Sequence, residues 1–228
     1  MATDQTHYEL VLRRHSLAEP WTYGLLDQAQ RELQARLCAQ DKIRGAVFVS
    51  ELAPVITLGR RECSQDLLVS PELLKKHGIE LYPTDRGGRA TYHGPGQWVV
   101  FVVDRLERLT GDPRGVRRAV EGLLELGRDL GLGAGLQGVE IRDGNETGVW
   151  TRRGKLASVG VHIQKGILLH GLAINGFRTP ESFFGLRPCG LDAQVDFLFG
   201  PDAHGQSQFS ELPQAILRGL EQRFWLSR

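Results

Sequence analysis

The run Trp98-Val-Val-Phe-Val-Val-Asp104 is apolar on nearly every residue. A strand with one wet face alternates apolar and polar positions. This run does not, so it predicts a central strand covered on both faces. The rest of the chain offers the cover. Leu26, Ala29, Leu33 and Leu37 keep near-helical spacing and predict a helix over 20–40, with Pro20 near its first position. Ser70 opens and Gly78 closes a short helix over 71–77. Asp112 and Pro113 mark another helix start, with Val116, Val120, Leu123, Gly127 and Leu130 as its buried stripe and Gly131 as its stop. Ser210 caps a last helix carrying Leu212, Ile216, Leu220 and Phe224.

Further strands are expected over 8–13, 46–50, 55–58 and 79–83. Past residue 138 they cluster, over 139–142, 148–152, 156–163 and 167–174, with turns at Gly154 and at Gln164-Lys165-Gly166. The fold class is α/β (α+β): a mixed β-sheet with packed helices. No repeat and no Pro/Ser-rich linker interrupts the chain, so residues 1–228 read as a single domain.

The bulk numbers exclude several classes. Hydrophobic residues make up 41% and charged residues 24%, and the net charge is +1, which names no strongly charged partner. Basic residues come only in short pairs such as Arg13-Arg14 and Arg152-Arg153, so nucleic acid is not an expected partner. No apolar run is long enough to cross a membrane. The N-terminus lacks the charged-then-apolar pattern of a signal peptide, so a cytoplasmic protein is expected. Cys38, Cys63 and Cys189 form no disulfide framework and no C-x-x-C pair. Cys38 reads as a packing residue at a helix end and Cys63 as an incidental loop thiol. No metal-ligand spacing, Walker A pattern or dinucleotide fingerprint is present, and no cofactor is expected.

Arg86-Gly-Gly-Arg-Ala-Thr-Tyr-His-Gly-Pro-Gly-Gln97 is the stretch that carries chemistry. Its glycines permit positive φ and close approach of backbone to a ligand. Arg86, Arg89, Thr91, Tyr92 and His93 stand among them as donors and acceptors. Read alone, the run is also compatible with a hairpin loop and ordinary turn chemistry. Farther on, Lys155 shares its strand parity with Ala157, Val159, Val161 and Ile163, the more apolar face. There, desolvation disfavours its charged form and suits it to proton transfer. Alternatively it turns outward at Gly154 and keeps its ammonium in water. Cys189 lies between Pro188 and Gly190, a constrained setting for a thiol. A thiol needs a partner to ionise, and Lys155, His93 and His170 are all eligible by type. Spacing does not choose between them. His170 also reads as a hydrogen-bonded strand histidine, and His93 as a residue that shapes a site or touches substrate.

Four ordered motifs resemble the lipoyl(octanoyl) transferase family. They are the run ending at Gln97, Gly148-Val-Trp150 with Gly154-Lys-Leu-Ala-Ser-Val-Gly160, His170-Gly-Leu-Ala-Ile-Asn175, and Pro188-Cys189-Gly190. The resemblance implies the catalytic-domain fold of the biotin and lipoate protein ligases. It implies transfer of octanoyl from octanoyl-acyl carrier protein to a lysine of a lipoyl domain. The acceptors would be the acyltransferase subunits of 2-oxoacid dehydrogenases and the glycine-cleavage H protein. Cys189 would accept the acyl group and Lys155 would serve it as acid and base. The acyl site would be lined by Arg86, Gly87, Gly88, Arg89, Ala90, Thr91, Tyr92 and His93, by Ser158, Val159 and Gly160, and by Gly171, Leu172 and Ala173. Thioester exchange is nearly isoenergetic and amide formation is downhill, so no ATP is implied. Two departures stand out: Gly176-Phe177 where the family usually continues with Val-Asn, and the charge of Arg89 at a variable position. Competing expectations are an ATP-dependent lipoate or biotin ligase, a cysteine-relay amidotransferase, and a non-catalytic lipoyl-domain or acyl-carrier binding protein.

Overall fold

A computed structural model describes residues 8–61, 64–187 and 194–224. The strands are β1 (Glu9–Arg14), β2 (Ala46–Glu51), β3 (Val55–Leu58), β4 (Glu80–Pro83), β5 (Thr91–His93), β6 (Gln97–Arg105), β7 (Glu140–Arg142), β8 (Gly148–Trp150), β9 (Lys155–Gln164) and β10 (Ile167–Asn175). The helices are α1 (Tyr23–Ala39), α2 (Pro71–Lys76), α3 (Leu106–Thr110), α4 (Val116–Gly133) and α5 (Ala203–Phe224). Seven strands form one mixed sheet in the order β1-β2-β6-β10-β9-β8-β7, and three form a second in the order β4-β3-β5. The fold class is the mixed α/β one expected.

β6 lies inside the large sheet, antiparallel to both β2 and β10. Trp98, Val100 and Val102 pack with α4 and α5 on one face, while Val99, Phe101 and Val103 pack with α1 on the other. The unbroken apolar run is thus the sequence trace of two cores meeting at one strand.

Helix ends differ most from expectation. Helix α1 begins at Tyr23, where Thr22 Oγ1 accepts from Leu25 N, so Pro20 lies ahead of it. Asp112 and Pro113 build a turn: Asp112 Oδ1 accepts from Arg114 N, and Asp112 O accepts from Gly115 N. Helix α4 then starts at Val116 and runs past Gly131. A side chain at Gly131 would sit 2.8 Å from Leu156 Cδ2, so this glycine permits close helix–sheet packing instead of stopping the helix. Helix α5 starts at Ala203, where Asp202 Oδ1 accepts from Gly205 N. Ser210 lies inside it and bonds back to Gln206 O. Cys38 is exposed, because its neighbour Leu37 takes the inward position.

Three local features place the site. β8 covers β9 only as far as Ala157, leaving the outer edge of the remaining residues to another partner. The glycine-rich run takes that edge, with Gly87 N donating to Val161 O at 3.0 Å. Within that run Thr91–His93 forms β5, paired with β3, where sequence chemistry alone shows only turns.

Candidate active site

A cavity of about 420 Å³ lies where the glycine-rich run meets β9 and β10. Its size falls within the range of small-molecule sites, roughly 300–1,000 Å³. Arg86, Gly87, Gly88, Arg89, Ala90, Thr91 and His93 line it from the run. Ser158, Val159 and Gly160 line it from β9, and Gly171, Leu172 and Ala173 from β10. The last two sets are cross-strand partners, Gly171 with Gly160, Leu172 with Val159 and Ala173 with Ser158. Lys155 also lines it. Of the anticipated lining residues within the described chain, Tyr92 alone is not on the wall. Its ring packs with Ile56, Leu74, Ile79 and Leu186, because alternation along β5 sends it to the opposite side from Thr91 and His93.

Arg86 and Arg89 hold the run in shape. Arg86 is buried, and its Nη2 donates to Thr57 O and Thr57 Oγ1, both at 2.7 Å. Arg89 grips buried Asp66 with two bonds, Nε to Oδ2 at 2.9 Å and Nη2 to Oδ1 at 2.7 Å. The family departure at Arg89 is therefore met by a carboxylate partner. The other departure lies off the cavity wall: Gly176 N and Phe177 N both donate to Gly96 O.

Lys155 does not turn outward. It is 3% exposed, and its Nζ donates to Thr147 O at 2.9 Å and lies 5.4 Å from the centre of the Trp150 ring. A side chain at Gly148 would come within 2.5 Å of Lys155 Cε, so the Gly148-Val-Trp150 motif makes both the slot and the floor for this lysine.

His93 is buried, stacked on Tyr23 with ring centres 5.8 Å apart. Its Nδ1 lies 2.7 Å from Gln97 Oε1. Gln97 Nε2 already donates to Tyr92 O and Asn175 Oδ1, so Oε1 accepts and Nδ1 carries the proton. Nε2 is left as a bare acceptor without a partner among the described residues. Burial, helped by the nearby Arg86 charge, pushes the His93 pKa down to about 3.

His170 is the hydrogen-bonded strand histidine. It lies on β10 with φ +64°, a left-handed value in mid-strand. Its neighbours in parity, Leu168 and Leu172, face α4 and α5, whereas His170 turns to the α1 side. There its Nδ1 meets Tyr23 OH at 3.2 Å and its Nε2 meets Asp85 Oδ1 at 2.9 Å. The His170 N–H, with Arg31 beside it, holds the Asp85 carboxyl well below the usual carboxylate range.

Cys189 and Cys63 lie outside the described residues. The described residues on either side of 188–193 are both tied to the site. Arg187 N donates to Asp66 O, and Gln194 O accepts from Lys155 N. Arg61, Phe101, Val120, Gly144, Asn145, Thr147 and Val161 also line the cavity, beyond the residues the sequence points to. Thr147 had no sequence signal, because its backbone oxygen is what Lys155 uses. Phe101 was legible only as core.

Residues 28–198 match the model of the lipoyl protein ligase A/B catalytic domain. The octanoyltransferase of Desulfotalea psychrophila is 36% identical over 165 residues, covering 71% of this chain and 71% of that protein. That of Syntrophobacter fumaroxidans is 35% identical over 218 residues, covering 90% and 91%. The mitochondrial octanoyltransferase LIP2 of Arabidopsis thaliana is 34% identical over 194 residues, covering 82% and 80%. Among solved structures, lipoate-protein ligase A bound with ATP superposes with a TM-score of 0.62 at 16% identity, covering 95% of this chain and 85% of that one. At that identity the likeness concerns the fold. No helix among the described residues is long and apolar enough to cross a membrane. Matching over three quarters of its length, the chain is an acyltransferase and belongs to the lipoyl protein ligase A/B catalytic domain family.

Proposed function

We propose that the chain, working as a single domain, moves an octanoyl group from octanoyl-acyl carrier protein to a lysine of lipoyl domains. The acceptors in this reading are the acyltransferase subunits of 2-oxoacid dehydrogenases and the glycine-cleavage H protein. The observation that carries it is the cavity itself. It gathers the glycine-rich run, the β9–β10 pairs and buried Lys155 at one place, in a chain whose relatives are named octanoyltransferases.

The steps balance as follows. Lys155 takes the proton of the Cys189 thiol, and the thiolate attacks the carrier-bound thioester. The carrier C–S bond breaks, and the carrier thiolate leaves with the proton returned by Lys155. The acyl chain then lies in the cavity as a Cys189 thioester. An acceptor lysine, its amine deprotonated by Lys155, attacks that carbonyl. The amide forms, the Cys189 C–S bond breaks, and the thiol is restored by the same proton. Lys155 is suited to this because its amine is anchored at Thr147 O inside a buried wall. The described neighbours of 188–193 support the reading: Arg187 N donates to Asp66 O, and Gln194 O accepts from Lys155 N.

Intact mass after incubation with octanoyl-acyl carrier protein, with and without ATP, tests the reading. One octanoyl group should appear in both conditions, be released by hydroxylamine, and map to the Cys189 peptide. An adduct on Cys63, or one that requires ATP, overturns the assignment.

A further inference from the structure

Behind the cavity runs a line of buried polar side chains that the reaction steps above do not use. Gln97 Nε2 donates to Asn175 Oδ1 at 2.9 Å. Asn175 Nδ2 donates to two backbone carbonyls, Lys155 O at 3.2 Å and Asp196 O at 3.1 Å. Gln97 and Asn175 are each 4% exposed. Neither amide can be flipped without facing donor against donor or oxygen against oxygen.

The place of this pair in the sheet gives it a purpose. The β9–β10 ladder closes at Ala157 and Ile174. Toward its start β9 departs from β10, and Lys155 instead forms a parallel bridge with Val195. Lys155 N donates to Gln194 O, and Asp196 N donates to Lys155 O. Asn175 is the last residue of β10 and stands in the fork. Its one amide nitrogen bonds across the seam between Lys155 and the segment leading to Asp196. Asp196 is clamped in turn, its Oδ2 accepting from Thr151 Oγ1 and from Arg153 Nε.

We infer that Asn175, held by Gln97, is a positioning residue that fixes Lys155 relative to the chain returning at Gln194. The inference rests on the acid–base role of Lys155 in the proposed reaction. A carboxamide is required at this fork. A carboxylate offers no donor to the two carbonyls, and a serine hydroxyl does not reach both. Misplacing a reacting group by about 1 Å costs on the order of 10²-fold in rate.

The test compares Asn175→Ser with Lys155→Ala in the full chain. Two quantities are read: rates of acyl loading and transfer, and the pH midpoint of Cys189 alkylation by iodoacetamide, followed on its own peptide because Cys38 is exposed. Asn175→Ser should slow both steps by about ten- to a hundredfold with KM for the acyl donor unchanged. Its alkylation midpoint should rise in the same direction as that of Lys155→Ala. Gln97→Met, which releases Asn175 but keeps both its donors, should give a smaller shift of the same sign and serves if Asn175→Ser does not fold. If Lys155→Ala moves the midpoint and the fork variants lower only thermal stability, Asn175 is merely structural and the inference fails. If Lys155→Ala itself leaves midpoint and rates unchanged, the reading of Lys155 fails instead.

Discussion

His93 shows how one side chain links site shape to stability. Its depressed pKa, about 3, means that the folded protein refuses a proton that the unfolded chain accepts near pH 6.5. The sign follows from that order. The stabilising contribution is complete above pH 6.5 and is lost as pH falls through the window from 6.5 toward 3. Buried His170 is shifted the same way by desolvation and adds to the slope. Each such histidine removes about 1.4 kcal/mol per pH unit inside its window. Urea unfolding at pH 7, 6 and 5 should therefore show a steep loss in the wild type. The slope should be shallower by about one proton in His93→Gln. Parallel slopes would mean that His93 titrates normally. Neutral His93 also has its one proton committed to Gln97, so it has no proton to give a leaving thiolate. That leaves the acid half of the chemistry to Lys155 in the proposed reaction.

At the scale of elements, the β8–β9 hairpin does the arranging. Gly148 and Lys155 sit on its two arms, and the register shifts between Val149 and Trp150. A methyl group at Gly148 would stand 2.5 Å from Lys155 Cε and 2.7 Å from Ala157 O. Both contacts are too short for any Cβ, so the lysine must move and the hairpin backbone must shift with it. Gly148→Ala should therefore displace Nζ from Thr147 O and lower both loading and transfer by about 10²-fold, while circular dichroism stays near that of the wild type. Normal turnover would show that the slot is not needed. Sequence patterning found this hairpin, its turn at Gly154 and the apolar parity that Lys155 heads. It did not find the burial of Lys155, because that depends on a bond to a backbone oxygen and on space left by an absent side chain. Helix starts differ from the sequence expectation for a related reason. Asp112 and Ser210 look like caps, yet each spends its side chain or carbonyl on a neighbouring turn, and Asp202 does the capping. In sequence, Tyr92 is indistinguishable from the neighbours that line the cavity. Only the strand pairing of β5 reveals that it points the other way.

Across the whole molecule, β6 stands between the two cores, and the chain that follows β10 packs with α5 in one of them. Trp98 stacks on Phe209 of α5 at 5.0 Å and donates from Nε1 to Phe209 O. Phe177 meets the same ring edge-on at 5.0 Å. Gly176 lies beneath it: an added Cβ would come within 2.1 Å of Phe209 Cδ2 and 2.9 Å of Gly96 O. The family's usual valine at this position therefore does not fit under this α5. Gly176-Phe177 reads as one half of an exchange in which Phe209 fills the volume that a larger residue would take. Gly176→Val should destabilise by about 1–3 kcal/mol through overpacking. Phe209→Ala should cost about 3–5 kcal/mol through the cavity it leaves. The double variant should cost less than the sum, with a coupling of about 0.5–3 kcal/mol, since the new methyls enter the vacated space. Urea unfolding of all four proteins closes the cycle. Strict additivity would mean that β10 and α5 relax independently and that the departure from the family pattern has no structural partner in Phe209.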